Sequence, residues 1–212
     1  MREHLSEALR AAPGDYAEIR WEEISYSKVH FQRDQLMALE SSREAGGIVR
    51  VLVNGAWGIA VFTDPDEIPG KLSEAASLAR ASAKHLKRKI ELAPVEPVRD
   101  VIKAKLKEDP RDIPLEEKRA LVQRYNELIL KHSDEIVSTR VRYTDSLRRV
   151  IFANVEGTYI EQEIPDVTLL LAAVARRNGN IQQAFESLGE AAGYEFVRDR
   201  EEEALEVAKR AV

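Results

Sequence analysis

The chain has 212 residues and a formal net charge of −5, from 32 lysines and arginines against 37 aspartates and glutamates. Hydrophobic residues make up 44%, enough for a packed core and too many for wholesale disorder. The acidic balance disfavours a nucleic-acid binder that works by overall positive charge, and the lack of cysteine excludes disulfides, thiolate zinc sites and cysteine nucleophiles.

Leu5, Ala8, Leu9 and Ala12 recur at helical spacing and predict a short amphipathic helix that Pro13-Gly14 ends. A β-like stretch follows. Ala17, Ile19 and Trp21 alternate with polar neighbours, and Val29 and Phe31 alternate with Lys28, His30 and Gln32. Leu36 and Leu39 fall in a further strand before Gly46-Gly47. Ile48 to Val53 reads as a buried strand, Asn54-Gly55 as a type I′ hairpin turn, and Trp57 to Thr63 as the return strand. Asp64-Pro65-Asp66-Glu67 then starts a helix over about 66–88, with a cap, a first-turn proline and favourable negative charge. Its apolar stripe is rich in alanine, which lets it approach a sheet closely.

Residues 93–114 carry four prolines (Pro94, Pro97, Pro110, Pro114) and are expected to form an exposed connector. A helix is predicted from about Leu115 to Lys131, burying Leu121, Val122, Tyr125, Leu128 and Ile129. In the second β region, Val137 to Thr144 alternate. Asp145-Ser146 then reads as a turn, Arg149 to Val155 as a strand, and Pro165 as a break before Val167 to Ala175. Asn178-Gly179 marks another hairpin. A last helix begins near Asp199. The order helix, strands, helix therefore occurs twice, in sub-halves of about 1–92 and 115–212. The expected class is α+β: mostly antiparallel sheets with segregated flanking helices.

Val167 to Ala175 is the longest apolar run and falls far short of the roughly 20 residues that span a bilayer. The N-terminal MREHLSEALRAAPGD has no apolar signal core. A cytoplasmic protein without a membrane segment is expected.

Few residues carry chemistry. His4, His30, His85 and His132 form no HExxH, and no metal site is expected from them. The carboxylates are spread in runs rather than facing pairs, and no GxGxxG, GxxxxGK[ST] or GxSxG is present. No catalytic residue is expected in this chain. Arg140, Arg142, Arg148 and Arg149, with Arg176 and Arg177, form a basic cluster over one hairpin system. It reads either as a groove for phosphate or acidic peptide, or as a solvent face whose charges block edge aggregation. Trp57, beside a tight turn, reads either as an exposed partner anchor or as core.

Four stretches, in order along the chain, resemble the N-terminal half of the TldD/PmbA zinc metallopeptidases, also called modulators of DNA gyrase. They are Asp15 to Glu22 (DYAEIRWE), Gly46 to Asp64 (GGIVRVLVNGAWGIAVFTD), Arg149 to Gln162 (RVIFANVEGTYIEQ) and Gly189 to Phe196 (GEAAGYEF). The resemblance implies a peptidase family whose zinc sits on an HExxxH helix in a C-terminal half. The present sequence reaches Val212 without that motif, so zinc is expected outside it and the chain alone is expected to be inactive. The resemblance further implies a peptide substrate and a homodimer or TldD–TldE-like heterodimer. The N-terminal half would enclose the active-site cavity and help to dimerise. Trp57, Arg140, Arg142, Arg148 and Arg149 are the candidate peptide- or partner-binding residues. The rival expectation is a stand-alone, non-catalytic module that binds a peptide or partner by its sheet edge.

Overall fold

The computed structural model describes residues 2–212; Met1 lies outside them. The helices are α1 (Arg2–Arg10), α2 (Ile68–Ala83), α3 (Leu115–Leu130) and α4 (Glu201–Ala211). The strands are β1 (Tyr16–Gln32), β2 (Gln35–Val53), β3 (Ala56–Phe62), β4 (Arg99–Ile102), β5 (Ile136–Asn154), β6 (Tyr159–Arg177) and β7 (Asn180–Glu190). They pair in the order β3-β2-β1-β5-β6-β4, with β7 also on β6. β3 and β7 run antiparallel to their partners, and β4 runs parallel to β6. The fold is α+β with a mostly antiparallel sheet and flanking helices. Among the described residues no helix is long and apolar enough to cross a membrane.

Three expected strand breaks are absent, because β2, β5 and β6 each run 19 residues without interruption. Gly47 serves a close approach rather than a turn: a Cβ there would lie 2.3 Å from the Phe62 ring. Asp145 points inward within β5 and meets a buried cation. Pro165 falls where β6 changes neighbours. β4 pairs residues 159–162 and β7 pairs residues 167–177, so no strand asks for a ladder N–H on that side in between. Helix α2 is also shorter than expected. The chain leaves it after Ala83, and the Ile90 N–H donates to the Gly55 carbonyl at 2.9 Å.

The chain divides into two compact units, each assembled from separate segments. Unit 1 comprises, among the described residues, 2–24, Glu44–Lys103 and Arg148–Glu163. Its core joins Leu5 of α1 and Ile68, Leu72 and Ala76 of α2 to Ile19, Val51 and Ile151 of the strands. Trp21 stacks on Phe62 at 5.5 Å between ring centroids. The alanine stripe of α2 does approach the sheet closely. A Cβ on Gly58 would lie 1.8 Å from the Ala75 carbonyl oxygen, so only glycine fits there. Each fully buried aliphatic side chain contributes about 1.5–3 kcal/mol.

Unit 2 comprises Ser25–Arg43, Ala104–Leu147 and Ile164–Val212. Here α3 and α4 bury Val122, Tyr125, Ile129 and Val207 against Val29, Val141 and Leu169. The Tyr125 hydroxyl donates to the Val197 carbonyl at 2.7 Å and accepts from the Arg200 N–H at 3.1 Å, which fixes the entry to α4.

Candidate peptide-binding face

Alternation along β5 sorts its side chains by face. Thr139, Val141, Tyr143, Asp145 and Leu147 are buried, and the other parity brings Arg140 and Arg142 out to solvent. On β6, Val167, Leu169, Leu171 and Ala173 are buried, and Leu170, Ala172 and Val174 take the opposite, half-buried face. The β6–β7 register sets these three beside Ser187, Phe185 and Gln183. Together with Gln32, Ser138 and Arg140 they line a groove of about 260 Å³ with an apolar floor. Phe185 is 65% exposed and Ile181 62%, an unusual display for large apolar side chains on a strand.

Arg140 is the charged residue in the lining of this groove, and Arg142 shares its parity on β5. Among the described residues neither Arg140 nor Arg142 forms an ion pair, and Lys28 meets Glu40 only at 3.3 Å. His30 shares the polar parity of β1 with Lys28 and Gln32. Its buried Nε2 has no hydrogen-bond partner among the described residues. Burial, and then the charges of Arg140, Arg142 and Lys28, hold its imidazole below the ordinary 6.5. Such a face can seat an apolar side chain and pair a carboxylate with a guanidinium fork. Among the described residues neither hydroxyl in its lining, Ser138 or Thr139, hydrogen-bonds a histidine, lysine or carboxylate; Thr139 donates to the Asn126 amide oxygen.

The remaining sequence candidates lie in unit 1 and are already engaged. Arg149 contacts Glu161 at 2.8 Å and Glu23 at 3.2 Å, and Arg148 lies 4.0 Å from Glu22. Trp57 is half-buried, under the Arg50 guanidinium at 4.3 Å and edge-on to Tyr16 at 5.8 Å. Among the described residues the four arginines of β5 therefore divide into Arg140 and Arg142, which meet no carboxylate, and Arg148 and Arg149, which do.

Sequence reasoning missed one polar cluster. Lys118 Nζ lies 2.8 Å from Asp145 Oδ2 and 2.7 Å from Ser27 Oγ, and the Ser27 hydroxyl donates to the same carboxylate oxygen. The three residues are 4%, 5% and 3% exposed. Lys118 Nζ also sits 5.7 Å from the Tyr143 ring centroid. Burial, and then the Asp145 charge, push the Tyr143 hydroxyl well above its ordinary range. A serine beside a lysine is the raw material of a nucleophile, but burial closes it to substrate; the cluster organises the core. Lys118 precedes Leu121, Val122 and Tyr125 at helical spacing, and Asp145 has inward parity, so the pattern held the clue.

No three His, Asp or Glu side chains among the described residues come together to hold a metal. His4 donates instead to the Pro65 carbonyl at 2.9 Å.

Comparison with known proteins places this architecture. The model of the PmbA/TldA metallopeptidase domain 1 matches residues 17–83, and that of the family's central domain matches residues 108–212. The chain belongs to the PmbA/TldD family. A metalloprotease of Synechocystis is 34% identical over 199 residues, covering 93% of this chain and 42% of that protein. A metalloprotease of Methanothermobacter thermautotrophicus is 33% identical, covering 90% of this chain and 41% of its own length. The chain thus spans about two fifths of the curated relatives it matches. Among solved structures, a candidate modulator of a DNA gyrase from Thermotoga maritima superimposes with a TM-score of 0.81 at 16% identity, over 99% of this chain and 47% of that one. TldE from Thermococcus kodakarensis gives 0.71 at 15% identity, over 98% and 47%. These two share the PmbA/TldD fold with the present chain.

Proposed function

We propose that this chain is the N-terminal, substrate-enclosing part of a PmbA/TldD-type zinc metallopeptidase. In this reading residues 1–212 act as one functional domain, and the whole protein hydrolyses peptides in the cytoplasm. It does so as a homodimer or a TldD–TldE-type heterodimer, and this part contributes to dimerisation. Zinc and the groups that activate water belong to another part of the protein. The role of this part is to hold an unfolded peptide.

The observation that carries the reading is the open groove of unit 2, with an apolar floor and Arg140 in its lining. Arg142 shares the face of Arg140 on β5, and neither meets a carboxylate among the described residues. A peptide lying over it would place an apolar side chain against Leu170 and Ala172 and a carboxylate on Arg140 or Arg142. The sheet edge adds sequence-tolerant capture. β3 pairs β2 only from Gly47 to Val53, so residues 35–43 offer main-chain groups to an added strand.

Fluorescence anisotropy with a labelled, unfolded peptide carrying both aliphatic and acidic residues tests this. Arg140→Gln combined with Arg142→Gln should weaken binding about tenfold, the loss of one good charge-assisted contact. Arg148→Gln should leave it within about twofold. Equal affinity for all three proteins would defeat the reading.

A further inference from the structure

Most strand arginines of unit 1 are neutralised: Arg20, Arg50, Arg148 and Arg149 each meet a glutamate. Arg2, Arg10 and Arg99 meet none among the described residues, yet all three line one polar cavity of about 330 Å³. No carboxylate lines it. On α1, Arg2, Ser6 and Arg10 fall within an arc of about 80° at 3.6 residues per turn, so one side of the helix faces this cavity. The opposite wall comes from the β5–β6 turn, through Asn154, Val155, Gly157, Thr158 and Tyr159, with Arg99 of β4.

Two placements work against local electrostatics or leave donors unused. Arg2 stands in the first turn of α1, where the helix dipole disfavours a cation. Its guanidinium is held 5.0 Å over the Tyr159 ring instead. Arg99 donates from Nε to the Gly157 carbonyl at 3.0 Å, which fixes its fork and leaves both terminal nitrogens without a partner among the described residues. The Thr158 hydroxyl accepts from the Val98 N–H at 3.3 Å and keeps its own proton to donate. Three cations gathered without a counter-charge repel one another, and a bound anion would relieve that repulsion.

We infer that this cavity is a binding site for a phosphoryl oxyanion, such as a phosphate ester or a pyrophosphate group. Arg99 and Arg10 grip the phosphoryl oxygens, Arg2 approaches from its Tyr159 platform, and the Ser6 and Thr158 hydroxyls complete the shell. Guanidinium forks match phosphate oxygens in pairs. A single carboxylate would bring one negative charge to three guanidiniums, whereas a phosphoryl group brings two. The site is independent of the peptide groove and of the peptidase reading.

Isothermal titration of the full chain at fixed ionic strength with pyrophosphate, inorganic phosphate and citrate decides it. Pyrophosphate should bind once per chain and more tightly than phosphate or citrate. Arg10→Gln combined with Arg99→Gln should weaken it at least about tenfold. Both side chains are exposed, so the variant should keep its unliganded melting temperature. Arg140→Gln combined with Arg142→Gln should leave pyrophosphate binding within about twofold. No pyrophosphate binding, citrate binding as tightly as pyrophosphate, or a loss that follows Arg140 and Arg142 would each overturn the assignment.

Discussion

Strand β5 contributes arginines to both units, and the two pairs behave differently. In unit 1, Arg148 and Arg149 meet Glu22, Glu23 and Glu161, so an incoming anion would have to displace a carboxylate from each. In unit 2, Arg140 and Arg142 carry the same charge on the same strand and meet no carboxylate among the described residues. The cores differ in the opposite sense. The core of unit 1 around Leu5, Ile19 and Leu72 is apolar, whereas unit 2 buries Lys118, Asp145 and Ser27. On β5, unit 1 thus pairs its two arginines with glutamates at the surface, while unit 2 leaves Arg140 and Arg142 without a carboxylate among the described residues and places one ion pair inside. The lesson is that a charge informs about function through its partners, and like residues on one strand can have entirely different ones.

The sharpest way to break this contrast is inside unit 2. Lys118→Met leaves the Asp145 carboxylate buried without its cation and should destabilise the chain by about 3–5 kcal/mol in urea unfolding. Lys118→Met combined with Asp145→Leu should recover most of that loss, because an apolar pair of similar volume replaces both charges. If the double variant is no better than the single one, the cluster is more than an internal ion pair. The two surface pairs give a smaller effect. Arg149→Ala removes contacts to two glutamates and should cost about 1 kcal/mol. Arg140→Ala should stay within about 0.5 kcal/mol, since it has no partner to lose.

The smallest effect is in pH. His30 titrates below 6.5 in the folded chain. As pH falls, the unfolded chain therefore takes up this proton first. The His30 contribution to stability is lost as pH drops below about 6.5 and levels off below the folded value. Stability curves from pH 8 to pH 5 should show this loss in the parent chain and not in His30→Gln. NMR titration should show the His30 pKa rising in the Arg140→Gln, Arg142→Gln variant. An unchanged value would mean that burial and Lys28 set it without the two arginines.

Much of the fold is legible where the signal is local. Asn54-Gly55 and Asn178-Gly179 adopt positive φ at both residues, 51° and 81° in one and 49° and 84° in the other, as the hairpin motif demands. The alternation from Val137 to Thr144 correctly sets Val141 and Tyr143 inward. Other features depend on partners far along the chain. Arg33 turns β1 into β2 at φ 54° without glycine or asparagine. Thr139 accepts its N–H, and the Asn126 amide donates to its carbonyl. Asp145 resembles a turn residue because aspartate often ends strands, but Lys118, 27 positions earlier, stabilises it inside one. For the same reason the sequence marks all four β5 arginines as candidates. Glu22 and Glu23 lie more than 100 positions away from the two they neutralise.

The open face of unit 2 is the central claim, and NMR tests it most directly. The isotope-labelled chain would be titrated with an unfolded peptide containing aliphatic and acidic residues. Amide shifts should concentrate at Arg140 and Arg142, at Leu170 to Val174 and at Gln183 to Phe185, and they should vanish in the Arg140→Gln, Arg142→Gln variant. Shifts centred on Trp57, Arg148 and Arg149, or no shifts at saturating peptide, would contradict the account.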